Sequence, residues 1–238
     1  MRVDIWSDFM CPFCYIGKRR FEEALSRFPH KDKVEVVFRS FELDPGAKRS
    51  TGQSMDELLA AKYGMTVEQA REANENVTRQ AQSVGLEYHL DTSVPTNSFD
   101  AHRLTHLAAQ HNKGYEMAER LFRAHFTESR DLGDRTVLTG LAAELGIPEE
   151  EASAALESGE FTSQVRSDEA EAASLGIRGV PFFVLNNKFA VSGAQPVELF
   201  LEALNKAQED EKPLVVMGDQ EGGDAACVDG SCQIPESK

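Results

Sequence analysis

Four cysteines stand in this 238-residue chain, and they fall into two close pairs, Cys11 with Cys14 and Cys227 with Cys232. Where thiols are kept reduced, such pairs point to redox catalysis or metal binding before structural disulfides. Pro12 and Phe13 separate the first pair. Proline suits the first position of a helix, where its missing N–H costs no hydrogen bond, and that makes Cys11 the N-cap. A thiolate there can accept hydrogen bonds from the N–H groups of Phe13 and Cys14, and the positive end of the helix dipole favours the same charge. Such settings lower a thiol pKa to roughly 3.5–7.5, from about 8.5 for a free cysteine. Cys11 is therefore the expected nucleophile. Cys14, within closing reach on the first turn and more buried, is the expected resolving thiol.

Three further features could carry chemistry. Gly179-Val180-Pro181 precedes a strand, and a proline in that place is a candidate cis-proline. Cys227-Val228-Asp229-Gly230-Ser231-Cys232 contains the turn dipeptide Asp-Gly, so the second pair can close on itself. It reads as a second redox pair exchanging electrons with the first, or as a tail clip without catalytic purpose. His102 and His106 lie four apart on an expected helix. No glutamate follows the first histidine as in the zinc-peptidase pattern, so they read as ordinary helix residues and no metal ligand is assigned.

The elements that must position these residues follow from the hydrophobic pattern. A strand over 3–7, a helix from Pro12 to about Pro29 and a β-branched, aromatic strand over 34–41 form a βαβ unit with Cys-x-x-Cys at its turn. From about Ser54 to Gly176 the pattern predicts helix throughout. Capping boxes stand at Ser54/Glu57 and Thr66/Gln69, and Asp134 and Pro148 mark later starts. The spacing of Met117, Leu121, Phe122 and Phe126 marks a core-facing helix. Strand signals return over 180–185 and 189–192, joined by an Asn186-Asn187 turn, and a helix follows from Pro196 to Ala207. The order β-α-β, helices, β-β-α is an α/β thioredoxin fold with a large all-helical insertion and an acidic C-terminal extension. The expected parts are 1–52 with 178–207 for the thioredoxin-like domain, 53–177 for the insertion and 208–238 for the tail. In that fold the loop of Val180 and Pro181 lies beside the reactive pair and offers backbone groups to an extended, cysteine-containing substrate.

The formal charge is 25 minus 40, or −15, which repels nucleic acid and anionic membrane. No apolar run approaches the roughly 20 residues of a membrane span. The N-terminus has no apolar h-region and no small-residue cleavage site, so it reads as a strand and not as a signal peptide. A soluble, cytoplasmic protein is expected.

The segments Asp8-Phe9-Met10-Cys11-Pro12-Phe13-Cys14-Tyr15-Ile16-Gly17, Phe41-Glu42-Leu43-Asp44-Pro45, Phe99-Asp100-Ala101-His102-Arg103-Leu104 and Gly179-Val180-Pro181 resemble the DsbA family, and within it the cytosolic FrnE-like branch. The resemblance covers about 3–207, and the tail cysteine pair also suits that branch. It implies a thiol-disulfide oxidoreductase with Cys11 as nucleophile, Cys14 as resolving thiol and Pro181 as cis-proline. The substrates implied are disulfide- or thiol-containing proteins or small thiols. No cofactor is needed, and glutathione is a candidate co-substrate or, like a thioredoxin-type protein, a candidate reductant. One departure matters. The dipeptide between the cysteines is Pro-Phe, where the strongly oxidising periplasmic members carry Pro-His, so the direction of electron flow is not implied.

Two alternatives stay open at this level. The related kappa-class glutathione transferases and hydroxychromene-carboxylate isomerases share the fold and insertion but typically carry serine where Cys11 stands. A non-catalytic zinc protein would use both cysteine pairs as a four-cysteine site.

Overall fold

The structure is a computed structural model that describes residues 1–49 and 52–210, with the backbone of 227–228 and 231–232. β1 (Arg2–Ser7) runs parallel to β2 (Glu35–Ser40) and antiparallel to β3 (Phe182–Leu185), and β3 pairs antiparallel with β4 (Phe189–Ser192). The resulting order is β2-β1-β3-β4. Side chains alternate as the period of two requires. Val3 and Ile5 lie opposite Leu185 and Phe183, and all four enter a core under α1 (Pro12–Arg27) and α9 (Val197–Asp210) with Phe21, Phe200 and Leu204. Trp6 and Val184 face the other way, onto Ala172 of α8 (Thr162–Ser174) and Ile177. The Trp6 indole N–H donates to the Asp168 carbonyl at 2.9 Å, which satisfies a donor that would be costly to bury alone. A one-residue slip of β1 would exchange the two faces, so the register is tightly specified. Asn186 and Asn187, with φ of 51° and 53°, make the expected hairpin turn.

Between β2 and β3 come α2 (Met55–Tyr63), α3 (Val67–Gln82), α4 (Phe99–Gln110), α5 (Gly114–Phe126), α6 (Arg135–Glu144), α7 (Glu149–Ser158) and α8. The capping boxes of Ser54 with Glu57 and Thr66 with Gln69 form as expected, and the Asp134 carboxylate accepts from the Thr136 N–H. The expectation of helix throughout fails over 83–98, which is irregular. Here Leu86, Tyr88 and Leu90 are buried while Glu87 and His89 are exposed, an alternation of period two that belongs to extended backbone. The strap is tied to the end of α5 by the His89 N–H donating to the Phe126 carbonyl (2.7 Å) and the Thr127 hydroxyl to the Glu87 carbonyl (2.7 Å).

The helices share their core with the end of β1. One buried cluster holds Phe9, Cys11, Cys14 and Tyr15 together with Leu104, Phe122 and Phe126. A polar clamp closes the same junction. Lys18 of α1 is 1% exposed, donates to Glu22 (2.6 Å) and to Glu119 of α5 (2.5 Å), and lies over the Tyr115 ring. Arg19 pairs with the other oxygen of Glu119, to which Tyr15 also donates (2.7 Å). In the tail, β5 (Cys227–Val228) pairs antiparallel with β6 (Ser231–Cys232), placing Cys227 opposite Cys232. Among the described residues no helix is long and apolar enough to cross a membrane.

Candidate active site

β1 stops at Ser7, and the chain turns through residues 8–10 before α1 begins at Pro12. Asp8 organises that turn. Its carboxylate accepts from the Met10 N–H (3.1 Å) and from the Leu43 N–H (2.7 Å), and its carbonyl accepts from the Cys11 N–H (3.0 Å). Cys11 is the N-cap of α1 with an extended backbone, and Pro12 is the first helical residue, as the sequence predicts. The Cys14 N–H donates to the Cys11 carbonyl at 3.0 Å.

The first hydrogen-bond expectation differs. The Cys11 sulfur takes no cap bond from the helix N–H groups; it lies 3.6 Å from the Val180 carbonyl, to which it donates. A neutral thiol has a proton to place, and a carbonyl is the partner for that. The Cys14 N–H, one of the donors expected to reach the sulfur, is taken by the Cys11 carbonyl instead. Cys14 is 2% exposed and Cys11 5%, and the two thiols are unjoined. Burial pushes the Cys14 thiol well above the ordinary thiol range, and Cys11 beside it adds to this, while the Ser7 hydroxyl and the Asp8 N–H pull the other way. The two sulfurs are thus unequal: Cys14 holds its proton.

The Val180–Pro181 peptide bond is cis. Pro181 packs against Gly17 of α1 so closely that a Cβ on Gly17 would lie 3.0 Å from its Cγ. A side chain at this position would make the loop give by a few tenths of an ångström. In front of Cys11 opens a mainly apolar groove of about 410 Å³, with Met10, Cys11 and Phe13 on one side and Met55, Leu59 and Val77 of the α2–α3 hairpin on the other. Phe13 is 38% exposed, so the residue between the cysteines presents an apolar ring to the groove and no titratable one.

Behind the cysteines the floor is aromatic. Tyr15 stacks on Phe122 (5.1 Å), and Tyr88 of the strap stacks on Phe126 (4.7 Å). The Tyr88 hydroxyl donates to the Pro12 carbonyl at 2.7 Å, fixing the first turn of α1. Tyr88 and Asp8 are site residues that the sequence does not single out; the alternation over 86–90 is the signal that could have found the first. His102 and His106 point apart. His102 faces Asp8 at 3.8 Å, while His106 meets the Ser40 hydroxyl (3.0 Å) and the Asp168 carboxylate (3.2 Å). Among the described residues no group of three His, Cys, Asp or Glu side chains could hold a metal. The side chains of Cys227 and Cys232 lie outside the described residues.

The model of the DSBA-like thioredoxin domain matches residues 2–205. The probable DsbA oxidoreductase SCO1869 of Streptomyces coelicolor is 44% identical, with a TM-score of 0.85 over 99% of this chain and all of its own. The uncharacterised Bacillus subtilis protein YwbO is 29% identical over 88% of this chain and 98% of its own. The cytosolic disulfide reductase DsbM of Pseudomonas aeruginosa shares the fold, with a TM-score of 0.57 at 18% identity over 88% of this chain and 96% of its own. With the sheet, the helical insertion and a domain match that spans nearly the whole described core, the chain belongs to the DsbA-like thioredoxin-domain family of oxidoreductases.

Proposed function

We propose that the protein is a cytoplasmic thiol-disulfide oxidoreductase in which Cys11 is the nucleophile and Cys14 the resolving thiol. The observation that carries this is the inequality of the two sulfurs. Cys11 lines the groove at a helix N-terminus, and Cys14 sits behind it with its proton held. The Cys11 thiolate attacks one sulfur of a substrate disulfide, forming a mixed disulfide and expelling the other sulfur as a thiolate. Cys14 then loses its proton and attacks the Cys11 sulfur, releasing the second substrate sulfur as a thiolate that takes up a proton. The substrate gains two electrons and two protons, and the enzyme is left with a Cys11–Cys14 disulfide. Two glutathione molecules or a thioredoxin-type dithiol would restore the pair. Run backwards, the same steps form or rearrange disulfides.

The substrates are thiol- or disulfide-containing proteins or small thiols. Val180 and Pro181 would present backbone groups to the substrate strand, and the apolar groove would take side chains beside its cysteine. Glutathione is a candidate co-substrate; DsbM has been solved with GSH. Cys227 and Cys232 would act as a second redox pair, a reading supported by their placement opposite one another across a two-stranded ladder. A glutathione-dependent transferase or isomerase is the weaker reading because such enzymes typically carry serine where Cys11 stands, and a four-cysteine zinc protein is weaker because Cys11 and Cys14 open a helix in a redox fold.

The test is to equilibrate the full chain in glutathione buffers of graded potential, trap thiols by alkylation and read each cysteine by peptide mass spectrometry. Cys11 and Cys14 should titrate together within the cytosolic range, with a second transition at Cys227 and Cys232 if those exchange electrons. A first pair that stays reduced in every buffer defeats the assignment. Cys11→Ala should abolish disulfide reductase turnover.

A further inference from the structure

Behind the reactive turn lies a set of buried titratable groups that the dithiol mechanism does not use. Asp8 is 1% exposed and His102 2%, and the His102 Nε2 atom, 3.8 Å from an Asp8 carboxylate oxygen, has no hydrogen-bond partner. That distance is too long for a hydrogen bond and short enough for an ion pair. A buried, unpartnered ring nitrogen aimed at a buried carboxylate calls for an explanation. The carboxylate in question is the one that fixes the turn. Asp8 binds the Met10 and Leu43 N–H groups by its side chain and the Cys11 N–H by its carbonyl.

Resting on the oxidoreductase reading, we infer that His102 is a positioning residue for the dithiol chemistry. Its imidazolium, reaching from α4, neutralises the Asp8 carboxylate behind Cys11 and so sets how readily the reduced pair carries a thiolate. With His102 charged, the two groups together present no net charge to the sulfurs. With His102 neutral or absent, a lone buried anion stands behind them and opposes a second negative charge. The helical insertion thereby reaches into the redox chemistry through one side chain.

The other groups facing His102 do not take its place. His125 of α5 is fully buried and burial pushes it down to about 4, so it is neutral across the working range. Glu42, just beyond the end of β2, is engaged by Arg166 (2.6 Å) and Asn97 (3.4 Å). Burial pushes the Asp8 carboxyl up, but His102 and the two backbone donors hold it below the usual carboxylate range, so it stays charged. Phe9, tilted against the His102 ring at 4.9 Å, closes the remaining side.

The experiment compares wild type with His102→Gln and Asp8→Asn. Thiolate formation is followed by absorbance against pH, and the equilibrium constant for reduction of the Cys11–Cys14 disulfide by two glutathione molecules is measured on the same samples. His102→Gln should raise the pH of thiolate formation by about one unit and lower that equilibrium constant about tenfold; Asp8→Asn should move both the opposite way. By linkage, the midpoint of the His102 ring, followed by NMR in unmutated protein, should differ between the oxidised and reduced forms. This measurement stands even if a variant does not fold. A His102 midpoint identical in both redox forms, or a folded His102→Gln that superimposes on wild type, overturns the inference while leaving the oxidoreductase intact. A wild-type pair that never exchanges with glutathione sinks the oxidoreductase reading first.

Discussion

Replacing Lys18 by methionine tests the clamp that holds the helix of the reactive pair to the insertion. The ammonium is 1% exposed and bridges Glu22 and Glu119, so its loss leaves Arg19, which also reaches both carboxylates, to carry the pairing alone. Breaking a buried pair costs roughly 3–5 kcal/mol. Glu119 is 31% exposed and keeps its pairing with Arg19, so the expected loss at pH 7 is nearer ~2 kcal/mol. The pH dependence sharpens the test. Burial pushes the Glu119 carboxyl up, but Arg19, Lys18 and the Tyr15 hydroxyl together hold it down to about 2, against an ordinary value of 4.5. A carboxyl depressed on folding contributes stability that is complete above its unfolded value and is lost as pH falls through its folded one. Taken whole, that depression is worth about 3 kcal/mol, and exposure cuts it to about 1–2 kcal/mol. In Lys18→Met the folded value rises toward 4.5, so the variant's deficit should be full at pH 7 and shrink between pH 4 and pH 2. Urea unfolding followed by the fluorescence of Trp6, the single tryptophan and itself buried, gives the measurement. At pH 7 the midpoint should fall by about 1 M. A deficit below about 0.5 kcal/mol, or one that does not change between pH 7 and pH 3, would refute the reasoning, since either means that the buried ammonium carries no net pairing energy.

Three further outcomes follow from the site. Cys14→Ser should stop dithiol turnover and let the mixed disulfide on Cys11 accumulate; intact-mass spectrometry that finds no adduct while turnover continues would remove Cys14 from the mechanism. Phe13→His places an imidazole between the cysteines and should lower the pH of thiolate formation by about one unit, with glutathione reducing the disulfide more readily; an unchanged titration would show that this side chain does not face the sulfur. Gly17→Ala should forfeit the ~1 kcal/mol that alanine normally gains over glycine inside a helix, because the new Cβ presses on Pro181 at 3.0 Å. Its turnover should fall about tenfold as the cis-proline loop is pushed off Cys11, and a stabilised variant with full activity would show that the loop yields freely.

Much of the scaffold was legible because it rests on local rules. Pro12 after Cys11 marks the helix start, the run before Pro181 leads into a strand, and two capping boxes mark the starts of α2 and α3. The strap over 83–98 is not legible, because Leu86, Tyr88 and Leu90 alternate over only five residues inside a stretch otherwise helical in composition. What the sequence could not show was which distant groups meet. Nothing local pairs Asp8 with His102, or puts Lys18 between Glu22 and Glu119, or directs the Tyr88 hydroxyl to the Pro12 carbonyl. Lys18 meets Glu22 within one helix turn, but Glu119 lies 101 positions from Lys18 and Tyr88 lies 76 from Pro12, and only the packed core selects those contacts. The direction of the Cys11 thiol is hidden for the same reason: the N-cap argument looks only along α1, whereas the carbonyl the thiol meets belongs to Val180, 169 positions away.

If Cys11 and Cys14 cycle between dithiol and disulfide as proposed, their membership in the core that α4 and α5 share makes that redox state a folding variable. The dithiol and disulfide forms close a thermodynamic cycle with their two unfolded chains. Whatever separates the potential of the folded pair from that of the same cysteines in an unstructured chain must therefore reappear as a difference in melting temperature between the two forms. A calorimeter, with no substrate in the cell, would report how the fold biases the direction in which electrons leave it.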